Sequence, residues 1–238
     1  MRSNLLRRSA AGLIRQPVPR LTPWALFFRR FAANMGDMIK ISALVWAIAS
    51  CVLLYGQSSK PSSAAVLTPE LGEISAGFYR NPSFEFIYKL PYGWVDRTSE
   101  MREASTNPTK AMVLLGVFER PPEVTGEGVN SGVVIAAESV TAYPGLKNAA
   151  QYFGPLGEIT TAKGLAAINQ PYEFPVDGKP IVRQDFSKQL GHGSMHQSTL
   201  AWLAKGYVVS FTFIARSDDE VLELVEGLTF GKKAAQRK

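Results

Sequence analysis

Two β-rich runs separated by only two residues constrain this chain most. Residues 195–204 read as one strand, Lys205-Gly206 as a turn, and residues 207–215 (YVVSFTFIA) as a second strand, β-branched and aromatic. A two-residue connection containing glycine joins strands as an antiparallel hairpin. Other segments add to the sheet. Residues 84–90 (FEFIYKL) alternate as a strand, and Pro91-Tyr92-Gly93-Trp94 closes it, because proline removes a donor and glycine permits a turn. Residues 111–119 (AMVLLGVFE) and 132–140 (GVVIAAESV) are near-continuous apolar runs, which suit central strands covered on both faces. Residues 120–131 between them read as an exposed loop. Asp177-Gly178 predicts a further hairpin with arms at 166–174 and 181–189.

Helical signals are fewer. Leu146, Ala149, Ala150 and Phe153 fall at helical spacing, and Gly154-Pro155 is expected to stop that element. Ser217 with Glu220 forms a capping box, opening a helix with Val221, Leu224, Val225 and Leu228 on its buried side. Trp94 and Trp202 read as core or core-edge aromatics. The predicted class is α+β, an antiparallel β-sheet sandwiched by α-helices.

The front of the chain is of another kind. Residues 41–55 (ISALVWAIASCVLLY) contain nothing more polar than serine, with Lys40 before them and small, polar residues after. A spanning helix needs roughly 20 apolar residues, whereas about 7–15 suffice for a signal-peptide core. Residues 38–58 therefore read as an export signal, either cleaved or kept as a membrane anchor. Ile48-Ala49-Ser50-Cys51 also fits a lipobox, which would make the chain's single cysteine, Cys51, a lipidation site. Residues 1–37 are an Arg-rich leader of the transit-peptide kind or the product of a start placed too early. Residues 59–75 read as a flexible linker, 76–230 as the folded domain and 231–238 as a basic tail.

Charge follows the same division. Of 26 Lys/Arg and 20 Asp/Glu, residues 1–58 hold eight basic side chains and one acid, Asp37, leaving 18 basic and 19 acidic residues for 59–238. The net charge of +6 thus belongs to the leader. A nucleic-acid surface needs clustered cations on the folded face, so no nucleic-acid partner is expected. A cysteine-free domain also excludes a cysteine nucleophile and thiolate metal sites.

Few residues offer chemistry. The two histidines, His192 and His196, are four apart, but on a hairpin arm that spacing spans about 13 Å, too far for one ion. His196 with a distant carboxylate such as Asp185 or Glu138 remains the one metal-site candidate. Ser194 in Gly-His-Gly-Ser-Met lacks the Gly-x-Ser-x-Gly spacing and strand-to-helix setting of a nucleophile elbow. Gly126, Gly128 and Gly132 lead into a strand, so they do not form a dinucleotide loop. Asp218, Asp219 and Glu220 occupy a helix's first turn, where they offset its dipole. None of these makes a catalytic constellation.

Four places resemble the PsbP-like superfamily, which includes the extrinsic protein of the oxygen-evolving complex of photosystem II. They are FEFIYKLPYGW at 84–94, Val176-Asp177-Gly178-Lys179, His196-Gln197 entering a strand that ends at Lys205-Gly206-Tyr207, and the 217–230 helix. The resemblance implies an antiparallel sheet between helices and a non-enzymatic accessory role on the lumenal side of a photosynthetic membrane, helping to retain calcium and chloride at the manganese cluster. It makes calcium or manganese the implied ions and His196 the metal or partner contact. The expectation is a non-enzymatic exported accessory or binding protein, in a periplasm or thylakoid lumen, partnered by a membrane-associated protein complex. The alternatives are a metal-dependent enzyme using His196 and carboxylates, and an envelope lipoprotein lipidated at Cys51.

Overall fold

The computed structural model describes residues 69–104, 111–121, 128–191 and 193–231. The leader, Cys51, His192 and the tail beyond Gly231 lie outside them. Among the described residues no helix is long and apolar enough to cross a membrane.

The described residues open with three short strands, β1 (Glu73–Ser75), β2 (Phe78–Asn81) and β3 (Phe86–Lys89). After β4 (Val95–Asp96) comes a six-residue helix, α1 (Thr98–Glu103). Strands β5 (Ala111–Phe118) and β6 (Gly132–Ser139) lead to 3-10 turns at Val140–Ala142 and Ala149–Tyr152, then to α2 (Phe153–Ala162). Strands β7 (Ala166–Ala167), β8 (Tyr172–Glu173), β9 (Val182–Leu190), β10 (Gly193–Ala204) and β11 (Tyr207–Ala215) follow, and α3 (Asp218–Glu226) and β12 (Leu228–Phe230) end the fold.

Two antiparallel sheets result. The larger runs β4-β5-β6-β11-β10-β9-β7, with β8 also on β9; the smaller runs β1-β2-β3-β12. The β10–β11 hairpin lies at the centre of the larger sheet, in register from Ala204↔Tyr207 to His196↔Ala215. Its turn residues both take positive φ, 51° at Lys205 and 81° at Gly206, the twist that a two-residue hairpin requires. β5, β6 and β11 are buried along nearly their whole length, as their continuous apolar runs demand. A bulge between Val113 and Leu115 lets adjacent leucines of β5 both turn inward.

The two faces of the large sheet are covered differently. Val209, Phe211, Phe213 and Ala215 face the small sheet and α3, where Phe86 meets Phe211 edge-on at 5.1 Å and Trp202 meets Phe230 at 5.2 Å. On the opposite face Met101 of α1 packs on Val113, Phe118, Val134 and Ala136, while Tyr152, Phe153 and Leu156 pack on Ala201 and Val208. The α+β class stands, with a correction to its layers: helices cover one face, and a second sheet shares the other with α3.

Local expectations are corrected too. Gly154-Pro155 begins α2 instead of ending a helix, because N–H groups of a first turn have no intrahelical acceptor and proline loses nothing there. The arm expected at 166–174 is two two-residue strands, β7 and β8, both on β9, with Pro171 between them. Asp177-Gly178 still forms the turn, at φ 47° and 76°. Leu228 belongs to β12, not to the helix. β1 starts at Glu73, inside the stretch read as linker, and Tyr79 Oη pins it by donating to Leu71 O at 2.6 Å.

Candidate functional site at the His196 corner

In a strand, residues two apart share a face. Ser194 and His196 therefore project together from β10, on the face that carries Leu200 and the small sheet. His196 lies opposite Ala215, the last residue of β11. Three residues later the chain begins α3 at Asp218, so the register brings the first helical turn over the imidazole. The outcome is a three-residue relay. Ser194 Oγ lies 2.8 Å from His196 Nε2, and His196 Nδ1 lies 2.7 Å from Asp218 Oδ1. A carboxylate only accepts, so in the neutral ring Nδ1 carries the proton and Nε2 accepts from the serine hydroxyl.

The helix start is itself pinned. Ser217 Oγ accepts from Glu220 N at 3.2 Å, the first half of the predicted capping box. The second half differs: Glu220 accepts from the backbone and guanidinium of Arg216 and from Ser131 Oγ. Burial acts to raise the Glu220 pKa, but these hydrogen bonds and the Arg216 charge outweigh it and hold the group below its usual value. His196 is mostly covered, with 19% of its side chain exposed, whereas Asp218 is 72% exposed. The pair is thus fixed in geometry but screened by solvent.

The other carboxylates considered for His196 go elsewhere. Asp185 shares its face, opposite Ser198, but is engaged by Arg183 Nε at 2.7 Å, Asn169 Nδ2 at 2.7 Å and Tyr172 Oη at 3.2 Å. Burial opposes its ionisation, yet the Asn169 and Arg183 hydrogen bonds keep its pKa below the ordinary value. Glu138 points to the opposite face, since it pairs with Val208, an odd number of residues from Ala215. There it is buried, accepting from Tyr152 Oη at 2.6 Å and from Tyr143 Oη. Burial raises its pKa, against the pull of the two tyrosine hydrogen bonds.

This donor set does not fit calcium, which takes about 6–8 oxygen ligands. Both imidazole nitrogens are engaged, and among the described residues no group of three His, Cys, Asp or Glu side chains could hold a metal ion. Sequence reasoning marked His196 and missed its partners. Ser194 was legible by strand parity; Asp218 needed the β10–β11 register.

Away from this corner, a concavity of about 730 Å³ lies at the small sheet, lined by residues that include Glu70, Glu73, Arg80, Asn81 and Glu85. It holds no comparable relay.

No protein-family model matches the sequence, and no curated protein matches it. Among solved structures, the chain is similar to cyanobacterial PsbP (CyanoP) from Synechocystis sp. PCC 6803, at 9% identity and a TM-score of 0.45, over 73% of this chain and 98% of that one. It is also similar to LpqN, involved in cell envelope biogenesis of Mycobacterium tuberculosis, at 14% identity and a TM-score of 0.36, over 62% of this chain and 83% of that one. A third similarity is to PA94 of Pseudomonas aeruginosa, a protein of unknown function, at 12% identity and a TM-score of 0.31, over 43% and 69% of the two chains.

Proposed function

We propose that this chain is an exported accessory protein that works by binding a membrane-associated protein complex. One observation carries the reading: an apolar run at 41–55, preceded by nearly all the excess positive charge, precedes a domain whose charges nearly balance. That is the order of an address followed by its cargo. The geometry is consistent with a contact surface at one corner. At the His196 corner, Asp218 is exposed, and Leu222, one helical turn further along α3, is 44% exposed. A carboxylate beside an exposed leucine over a fixed imidazole suits a partly polar protein interface.

The resemblance at 84–94 and 196–207 makes photosystem II the complex in a photosynthetic host. Fractionation of host cells followed by native electrophoresis tests the proposal. Co-migration of the full-length chain with a membrane complex, and its release by a salt wash, is the expected result. Recovery only as a free cytosolic monomer overturns it.

A second reading rests on Ile48-Ala49-Ser50-Cys51 and makes Cys51 a lipidated anchor of an envelope protein. Labelled palmitate incorporated by the full chain and lost on Cys51→Ser supports it; absence of label removes it.

A further inference from the structure

We propose that Ser194 is a histidine-activated nucleophile that accepts acyl groups from small, uncharged activated esters. This goes beyond the binding role and does not depend on it. Acyl transfer to serine needs the hydroxyl on Nε2 of an imidazole whose Nδ1–H is held by a carboxylate. That connectivity, and not its reverse, is present here, at 2.8 Å and 2.7 Å.

The surroundings permit attack. The β10–β11 pairing ends at His196↔Ala215, so Ser194 projects past the end of β11. Ser194 is itself only partly covered, which leaves it within reach of solvent. Asp218 and Asp219 put negative charge in the first turn of α3, while Glu220 is paired with Arg216, so an uncharged acyl donor meets no strong field of either sign.

The chemistry balances without a redox partner. Ser194 Oγ bonds to the carbonyl carbon while its proton passes to His196 Nε2. The tetrahedral intermediate then expels the alkoxide or phenoxide, which takes that proton from Nε2. Water attacks the acyl-serine by the same route, releasing the acid and restoring the hydroxyl. Asp218 acts through His196 and is a positioning residue. At 72% exposure its field is screened, so its contribution to either half of the reaction is expected to be small.

The test uses the purified full-length chain with an uncharged fluorophosphonate and with p-nitrophenyl acetate, read by intact mass and peptide mapping. One adduct per chain, on Ser194 and absent in Ser194→Ala, is expected. His196→Gln should slow labelling by about 10²-fold or more, the usual share of general-base catalysis. Asp218→Asn should slow it by about tenfold or less, and Asp218→Glu should restore it, which a merely structural role would not do. Should His196→Gln fail to fold, Ser194→Cys replaces it, with a reaction toward iodoacetamide faster than free cysteine expected. No adduct at Ser194, an adduct whose rate ignores His196→Gln, or a Ser194→Cys variant whose new thiol reacts no faster than free cysteine overturns the proposal.

Discussion

Removing one hydroxyl from the far face of the sheet should destabilise this protein in a pH-dependent way. Glu138 is 1% exposed, and its Oε1 accepts from Tyr152 Oη at 2.6 Å. Tyr152→Phe keeps the ring against Tyr143 and Phe153, and with it the packing, but leaves a buried carboxylate oxygen without that donor. A hydrogen bond to a charged group contributes about 1.5–3 kcal/mol, so where Glu138 is charged the variant should lose that much. For a domain of this size the loss lowers Tm by roughly 3–12 °C.

The pH dependence has a definite sign. Burial raises the Glu138 pKa in the folded state above its ordinary 4.5, so across that window the folded chain binds more protons than the unfolded one. Stability on this account falls as pH rises from 4.5 through the folded value. Tyr152→Phe removes a group that favours the charged form, so its cost should grow as pH rises through the folded value and be smallest near pH 4, where the carboxyl is mostly protonated in both states. Glu138→Gln should flatten the dependence. Urea unfolding of the three proteins from about pH 4 to about pH 9 measures this. A Tyr152→Phe cost that does not rise with pH, or that stays below about 0.5 kcal/mol throughout, would contradict this role for the tyrosine.

Three further substitutions probe the frame. Gly227→Ala places a Cβ 2.9 Å from Tyr88 Cε2 and 3.0 Å from Lys89 O, so thermal unfolding should report a loss of about 1–3 kcal/mol. Gly157→Ala, inside α2 with nothing within 4 Å, should instead gain about 0.5–1 kcal/mol in the same assay. Asp177 Oδ2 accepts from Phe230 N at 2.8 Å across 53 residues, tying the second hairpin's turn to β12, so Asp177→Ala should cost about 1–3 kcal/mol in denaturant unfolding.

The sheet's centre was readable because its signals are local and redundant. Residues 207–215 are β-branched and aromatic, and Lys205-Gly206 admits one kind of turn, so β10 and β11 emerged almost as their bounds stand. The small sheet was not readable. β1 is exposed along its length, and β12 is three residues at the end of a helical pattern whose spacing its own Leu228 continues. Such strands exist because neighbours hold them, as Tyr88 and Phe86 hold β12. Gly154-Pro155 misled because the same pair can end a helix or begin one, and only the packing of Phe153 and Leu156 decides. At the corner, His196 stood out as one of two histidines. Its acid lies 22 residues away in the chain, and no local pattern links them without the His196↔Ala215 register.

Light-driven cross-linking in the host tests whether this exported chain works by binding. The full-length chain would carry p-benzoylphenylalanine in place of Leu222, beside Asp218 on α3. A single cross-linked species in the extracytoplasmic or membrane-complex fraction, weakened by Asp218→Arg, is the expected result. A chain confined to the cytosolic fraction, with no cross-link that depends on the photoreactive residue, would contradict it.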